Sequence, residues 1–191
     1  MLTSGYELTT SITNIFIFIV SIICFIKVKK NNLWKFFFLL MSIDSFLGVI
    51  VHGFVMSKML NDILWVILAL FFTISVNTLF CIFINLNIKH IFILSVLLSI
   101  LLCIQMLYGF NFLLTFTFYV LLILIISTYY ILKKENKLYY LLGFVIQVIG
   151  GIFLLSRCKF PLINYNGVYH IFMAITLIFL YLGYKNENNY N

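Results

Sequence analysis

Long apolar runs separated by short polar gaps set the pattern of this chain. Seven runs reach or approach the ~20 residues that a helix needs to cross a bilayer. They cover residues 8–28, 33–55, 63–86, 91–108, 112–132, 138–155 and 168–184. The gaps are polar and short, such as Lys29-Lys30-Asn31-Asn32, Asn61-Asp62 and Lys133-Lys134-Glu135-Asn136-Lys137; only the stretch 156–167 is longer. The runs lack strict alternation, and a segment in lipid must satisfy its backbone hydrogen bonds internally. The pattern therefore predicts an all-α, polytopic membrane protein. Its fold is a seven-transmembrane-helix bundle that forms a single domain over residues 1–191.

Composition agrees. The chain has 191 residues, 64% hydrophobic and only 9% charged, against about 25% charged in a soluble domain. Most of its surface must face a lipid bilayer, which makes it a multi-pass protein, expected in the cell (plasma) membrane. The net charge of +7 does not point to nucleic acid, because the basic residues lie in the gaps, where they determine topology. With seven spans, Lys27, Lys29, Lys30, Lys35, Lys89, Lys133, Lys134, Lys137 and Lys185 share one side, while Lys58, Arg157 and Lys159 share the other. Basic residues accumulate on the cytoplasmic side, so the N-terminus is expected outside and the C-terminus in the cytoplasm. The N-terminus lacks the positive region of a cleavable signal, and run 8–28 is expected to be a first span. Trp34 and Trp65 stand at the starts of spans two and three, where an aromatic belt would place them. Cys24, Cys81 and Cys103 fall inside apolar runs as small apolar residues. No Cys-x-x-Cys occurs, which removes thiol-redox and zinc-ribbon chemistry.

The second run is interrupted by chemistry: Asp44-Ser45-Phe46-Leu47-Gly48-Val49-Ile50-Val51-His52-Gly53. Ionisable groups are costly in hydrocarbon and mark functional sites there. The predicted topology puts His52 near the outer end of span two. It puts His170, in Tyr165-Asn166-Gly167-Val168-Tyr169-His170, near the outer end of span seven. Two histidines from distant parts of the chain thus meet at one depth. Gly48 and Ser45 lie one and two turns below His52 on the same face. Asp44 lies ~12 Å deeper, near the levels of Asn77 and Gln147, with which it is expected to form an interhelical polar clasp. The expected pocket comprises His52, Gly48, Ser45, Asp44, Asn77, Gln147, Tyr169 and His170, and it would take a lipid or small-molecule ligand.

Neutral imidazole is a common metal ligand, so His52 and His170 are also candidate zinc ligands, with Cys158 as a further donor. With Zn–N bonds of ~2 Å, a shared ion requires the two rings within about 8 Å. Facing histidines would also suit axial ligation of haem b. The alternative for the pair is a structural role, with the histidines bonded to loop carbonyls or to Tyr165 and Tyr169. Asp44 is the only acid inside a span, and Glu7, Asp62, Glu135 and Glu187 are read as loop or tail residues. No Gly-x-Ser-x-Gly elbow or Gly-rich phosphate loop occurs.

A histidine late in the second helix, polar residues before it and a histidine opening the seventh resemble the alkaline ceramidase and adiponectin-receptor superfamily of seven-helix membrane hydrolases. Gly48-Val49-Ile50-Val51-His52-Gly53 and Asn164-Tyr165-Asn166-Gly167-Val168-Tyr169-His170 are also similar to segments of small bacterial seven-helix proteins of unassigned function. The resemblance implies a zinc ion held by three histidines that hydrolyses lipid amides. His52 matches the first ligand and His170 the second. The third falls on Ala174, Gly48 stands where the family has Ser or Asn, and Asn77 is at best the counterpart of the family's acid. The resemblance thus implies a divergent, metal-dependent lipid hydrolase or an inactive relative that binds a ligand. The alternative is a non-enzymatic membrane component, a sensor or partner-binding subunit, whose polar residues are structural.

Overall fold

The computed structural model describes residues 6–85, 112–133, 137–158 and 160–189, together with residues 89, 90, 93, 94, 96, 97, 100 and 101. The described helices are α1 (Tyr6–Lys27), α2 (Asn32–Gly53), α3 (Lys58–Ile84), α4 (Phe112–Ile131), α5 (Leu138–Ser156) and α6 (Tyr165–Asn189). The fourth predicted run, 91–108, lies largely outside the described residues, as does Cys103. Five of the helices, α1, α2, α3, α5 and α6, are long and apolar enough to cross a membrane. The protein is an all-helical, multi-pass membrane protein.

Side-chain burial shows the same thing. On α1 the buried face carries Thr10, Ser11, Asn14 and Ser21, while Ile12, Phe16, Ile19, Ile23 and Ile26 are exposed. That is the reverse of a helix in water, whose apolar stripe faces the core. Polar side chains turned inward and branched apolar ones turned outward suit hydrocarbon surroundings.

Two ends of helices differ from the sequence expectation. α3 begins at Lys58, and Asn61 and Asp62, read as a gap, form part of its first turns. Ser57 causes this: its side chain accepts from Leu60 N and caps the helix five residues earlier than the apolar run begins. α6 begins at Tyr165 because Asn164 caps it, with Oδ1 accepting from Gly167 N at 2.7 Å.

Each described helix packs on the next described one, α1 on α2, α2 on α3, α3 on α4 and so on, and α6 returns to α1. The described helices form a closed ring, tightest at α1–α2 and α5–α6. Small residues permit that closeness, as in other membrane helix pairs. A Cβ on Gly48 would stand 2.8 Å from Asn14 Oδ1, and one on Gly53 2.7 Å from Ser11 Oγ. Hydroxyls bridge the same seams: Ser11 Oγ donates to Val49 O at 2.9 Å and Thr176 Oγ1 to Gly143 O at 3.2 Å. Gly48 and Gly53 thus serve the close approach of α1 and α2.

The core lies at the end of the ring that carries Lys27, Lys35 and Lys185. Trp34 is only 2% exposed and packs against Phe37, Phe38, Phe83, Tyr140 and Tyr184, each at 5.9 Å between centroids. Its ring stacks on Tyr140 with an 8° interplanar angle. This corrects the aromatic-belt reading: Trp34 is a core residue. The capping of α2 by Asn31, which accepts from Leu33 N and Trp34 N, sets Trp34 one turn inside the helix and turned inward. Gly183 leaves room for the Tyr140 ring against α6.

Candidate functional site

The opposite end of the ring holds both histidines. His52 comes from the last turn of α2 and His170 from the second turn of α6. Their ring centroids are 6.2 Å apart at 65°, within the separation a shared site requires. The meeting expected from sequence therefore occurs, and α1 between them supplies the partners.

Glu7, in the first turn of α1, sits with Oε2 2.7 Å from His52 Nδ1. It is not the tail residue that its position suggested. A carboxylate only accepts, so the His52 Nδ1–H donates to it. On the other side, Thr13 Oγ1 lies 3.2 Å from His170 Nδ1 and donates its own hydrogen to Thr10 O at 2.9 Å. A hydroxyl has one hydrogen to give. With that hydrogen on Thr10 O, the matching tautomer of His170 carries its proton on Nδ1, toward Thr13, and has Nε2 as an acceptor. Thr10 Oγ1 donates to Asn164 Oδ1 at 2.8 Å, so the cap of α6 is tied to α1 and the depth of His170 is fixed with it. Neither histidine bonds to Tyr165 or Tyr169. Tyr169 OH instead accepts from Gln147 Nε2 at 2.9 Å.

The sequence signal for these partners was present. Glu7, Thr10, Ser11, Asn14 and Ser21 recur at three- and four-residue steps, which is one face of a helix. The face is hidden inside a run whose mean is strongly apolar.

Below the histidines, between the described helices, lies a cavity of about 310 Å³ that is open on part of its boundary. All six described helices contribute to its wall: Asn14 from α1, Asp44, Ser45, Gly48 and His52 from α2, Trp65 and Ala69 from α3, Val120 from α4, Gln147 and Gly151 from α5, and Tyr169 and His170 from α6. Most of the remaining wall is aliphatic. Trp65 stands edge-on to His52 at 5.3 Å between centroids and is part of the site as well as of the helix end. Of the expected pocket residues only Asn77 is not on this wall; it is fully buried in α3.

The expected clasp does not form. Asp44 makes no hydrogen bond to Asn77 or Gln147, and among the described residues its Oδ1 has no partner although the residue is 7% exposed. Ser45 Oγ is spent on Met41 O at 2.6 Å, a back-bond within its own helix. Gln147 gives one amide hydrogen to Tyr169 across the α5–α6 seam and is not bonded to Asp44.

The donors do not fit the zinc site that the resemblance implies. Among the described residues no three His, Cys, Asp or Glu side chains converge as metal ligands. Ala174 is buried and offers a methyl group. Cys158 is exposed and pairs with Ser156 Oγ at 3.0 Å. His52 Nδ1 is engaged with Glu7. Two imidazoles without a third ligand fall short of the three protein donors that a catalytic zinc needs.

No curated protein and no solved structure matches the chain. Residues 9–189, nearly the whole sequence and every residue of the cavity wall, match DUF6962, and the chain therefore belongs to this family of unknown function.

Proposed function

We propose that the protein binds an amphipathic small molecule in the cavity at the centre of its helix ring, beneath the outer-side pair His52 and His170. Of the two outcomes that the likeness to ceramidase-type proteins implies, this is the ligand-binding relative and not the zinc hydrolase. The observation that carries the reading is the cavity itself. Its volume and its mainly apolar wall with a few converging polar groups are those of small-molecule sites, which helix bundles build between facing helices. A purely structural role for the polar residues fits less well. Structural polar groups buried in a protein are almost always hydrogen-bonded, whereas Asp44 Oδ1 and Gln147 Oε1 are not.

Gly151 provides the test. A Cβ there meets nothing within 4 Å, and the residue lines the cavity. Gly151→Leu is expected to fill the cavity without a clash, and removal of a helical glycine favours the fold by roughly 0.5–1 kcal/mol. Trp65 on the cavity wall reports occupancy. A brominated alkyl amphiphile is expected to quench it saturably in the wild type and not in Gly151→Leu. Quenching that is unsaturable, or unchanged by the substitution, rejects the site.

The protein is read as a seven-span bundle with its N-terminus outside and its C-terminus in the cytoplasm. The nine-to-three distribution of basic residues supports this. A reporter fused after Asn191 is expected to be active in the cytoplasm, and an external signal would reverse the orientation.

A further inference from the structure

We propose that the ligand is a lipophilic amine, whose ammonium head is held by Asp44 and Gln147 and whose apolar tail lies along α3, α4 and α5. The inference rests on the cavity being a ligand site and adds the chemical class of the occupant. Five buried side-chain atoms among the described residues lack a hydrogen-bond partner: Ser21 Oγ, Asp44 Oδ1, Thr73 Oγ1, Ser127 Oγ and Gln147 Oε1. Only Asp44 and Gln147 line the cavity. Both orphan atoms there are acceptors.

The rest of the wall adds acceptors to these. Gln147 gives one of its two amide hydrogens to Tyr169, and its carbonyl Oε1 has no partner among the described residues. Ser45 has given its hydrogen to Met41 O. His170 has its proton on Nδ1, toward Thr13, and presents Nε2 as an acceptor. A molecule that completes Asp44 Oδ1 and Gln147 Oε1 must bring hydrogen-bond donors. An ammonium group brings three and a positive charge. Its charge would favour the ionised form of the Asp44 carboxyl, which burial alone disfavours, and complete a charge-assisted pair. A fatty carboxylate would instead place a second negative charge beside Asp44, and a neutral alcohol supplies one donor to several acceptors. Trp65 and Tyr169 add aromatic rings to the same wall, and such rings attract cations. The aliphatic remainder, including Leu68, Ala69 and Ile152, accounts for a tail.

The test uses the purified full chain in a neutral detergent with dodecylamine, dodecanol and dodecanoate as probes. Binding is read by competition with the brominated amphiphile at Trp65. The amine is expected to compete at least about ten-fold better than the alcohol, the gain of a charge-assisted pair over a neutral bond. The carboxylate is expected not to compete. Asp44→Asn should bring the amine down to the level of the alcohol and leave the alcohol unchanged. If all three probes compete equally, or if the amine keeps its advantage in Asp44→Asn, the amine inference is overturned while the ligand site stands. If no probe competes and the brominated amphiphile does not quench saturably, both are overturned.

Discussion

Trp34→Ala is expected to lower the unfolding free energy by about 3–5 kcal/mol, the range for truncating a fully packed Trp. The residue is the centre of the aromatic cluster and touches α2, α3, α5 and α6 through Phe37, Phe38, Phe83, Tyr140 and Tyr184. In lipid the loss is one of packing, because dispersion contacts and not the exclusion of water hold membrane helices together. The hole would open where three loosely related seams meet and where Gly183 already brings α6 close to Tyr140. Thermal unfolding in detergent checks this. Trp34→Phe should recover most of the loss, since a ring still stacks on Tyr140. A Trp34→Ala midpoint equal to wild type would remove the cluster from its place as the core. Ligand binding at the far end of the ring should survive at temperatures where the variant remains folded.

Asp44→Leu is expected to have the opposite sign. Removal of a buried carboxyl group whose Oδ1 has no partner among the described residues stabilises the fold, by about 1–3 kcal/mol on the scale of buried ionic groups replaced by apolar ones. For a chain of this size each kcal/mol moves the thermal midpoint by roughly 2–4 °C, so a rise of several degrees should be read. The cavity beside Asp44 gives the larger side chain room. Amine binding should be lost in the same variant. A gain in stability coupled to a loss of binding is what a residue kept for function produces. A fall in stability would mean that Asp44 serves the fold, and the polar clasp would have to be sought again.

The fold class was legible because a span needs only length and apolarity, and the chain meets both repeatedly. The encounter of His52 and His170 was legible because helix direction alternates and fixes depth. Glu7 was not, since a carboxylate seven residues from the start of the chain looks like a tail until α1 is known to begin at Tyr6. The polar face of α1 was equally hidden, because its serines and threonines are averaged away among isoleucines. Trp34 was misplaced for a different reason. Position along a helix predicts depth in the membrane, but only packing decides whether a ring faces lipid or the bundle. Asp44 shows the limit from the other side. Helical spacing brought it to the level of Gln147, yet the amide turned to Tyr169 and left the acid alone.

The glycines separate two uses that the sequence does not distinguish. Gly48 and Gly53 admit side chains of α1, and any Cβ there would meet Asn14 or Ser11. Gly151 faces open space, and so its small size keeps the cavity open and does not bring helices together. Gly48 is thus a contact residue between α1 and α2. The polar group near that point, Asn14, comes from α1.

Native mass spectrometry of the full chain released from its own membrane asks most directly whether the ring is built around a ligand. The expected spectrum shows a single discrete adduct, one amphiphile per chain, in the wild type and none in Gly151→Leu. A bare wild-type chain, or the same ladder of adducts in both proteins, would mean that the space beneath His52 and His170 holds no ligand of its own.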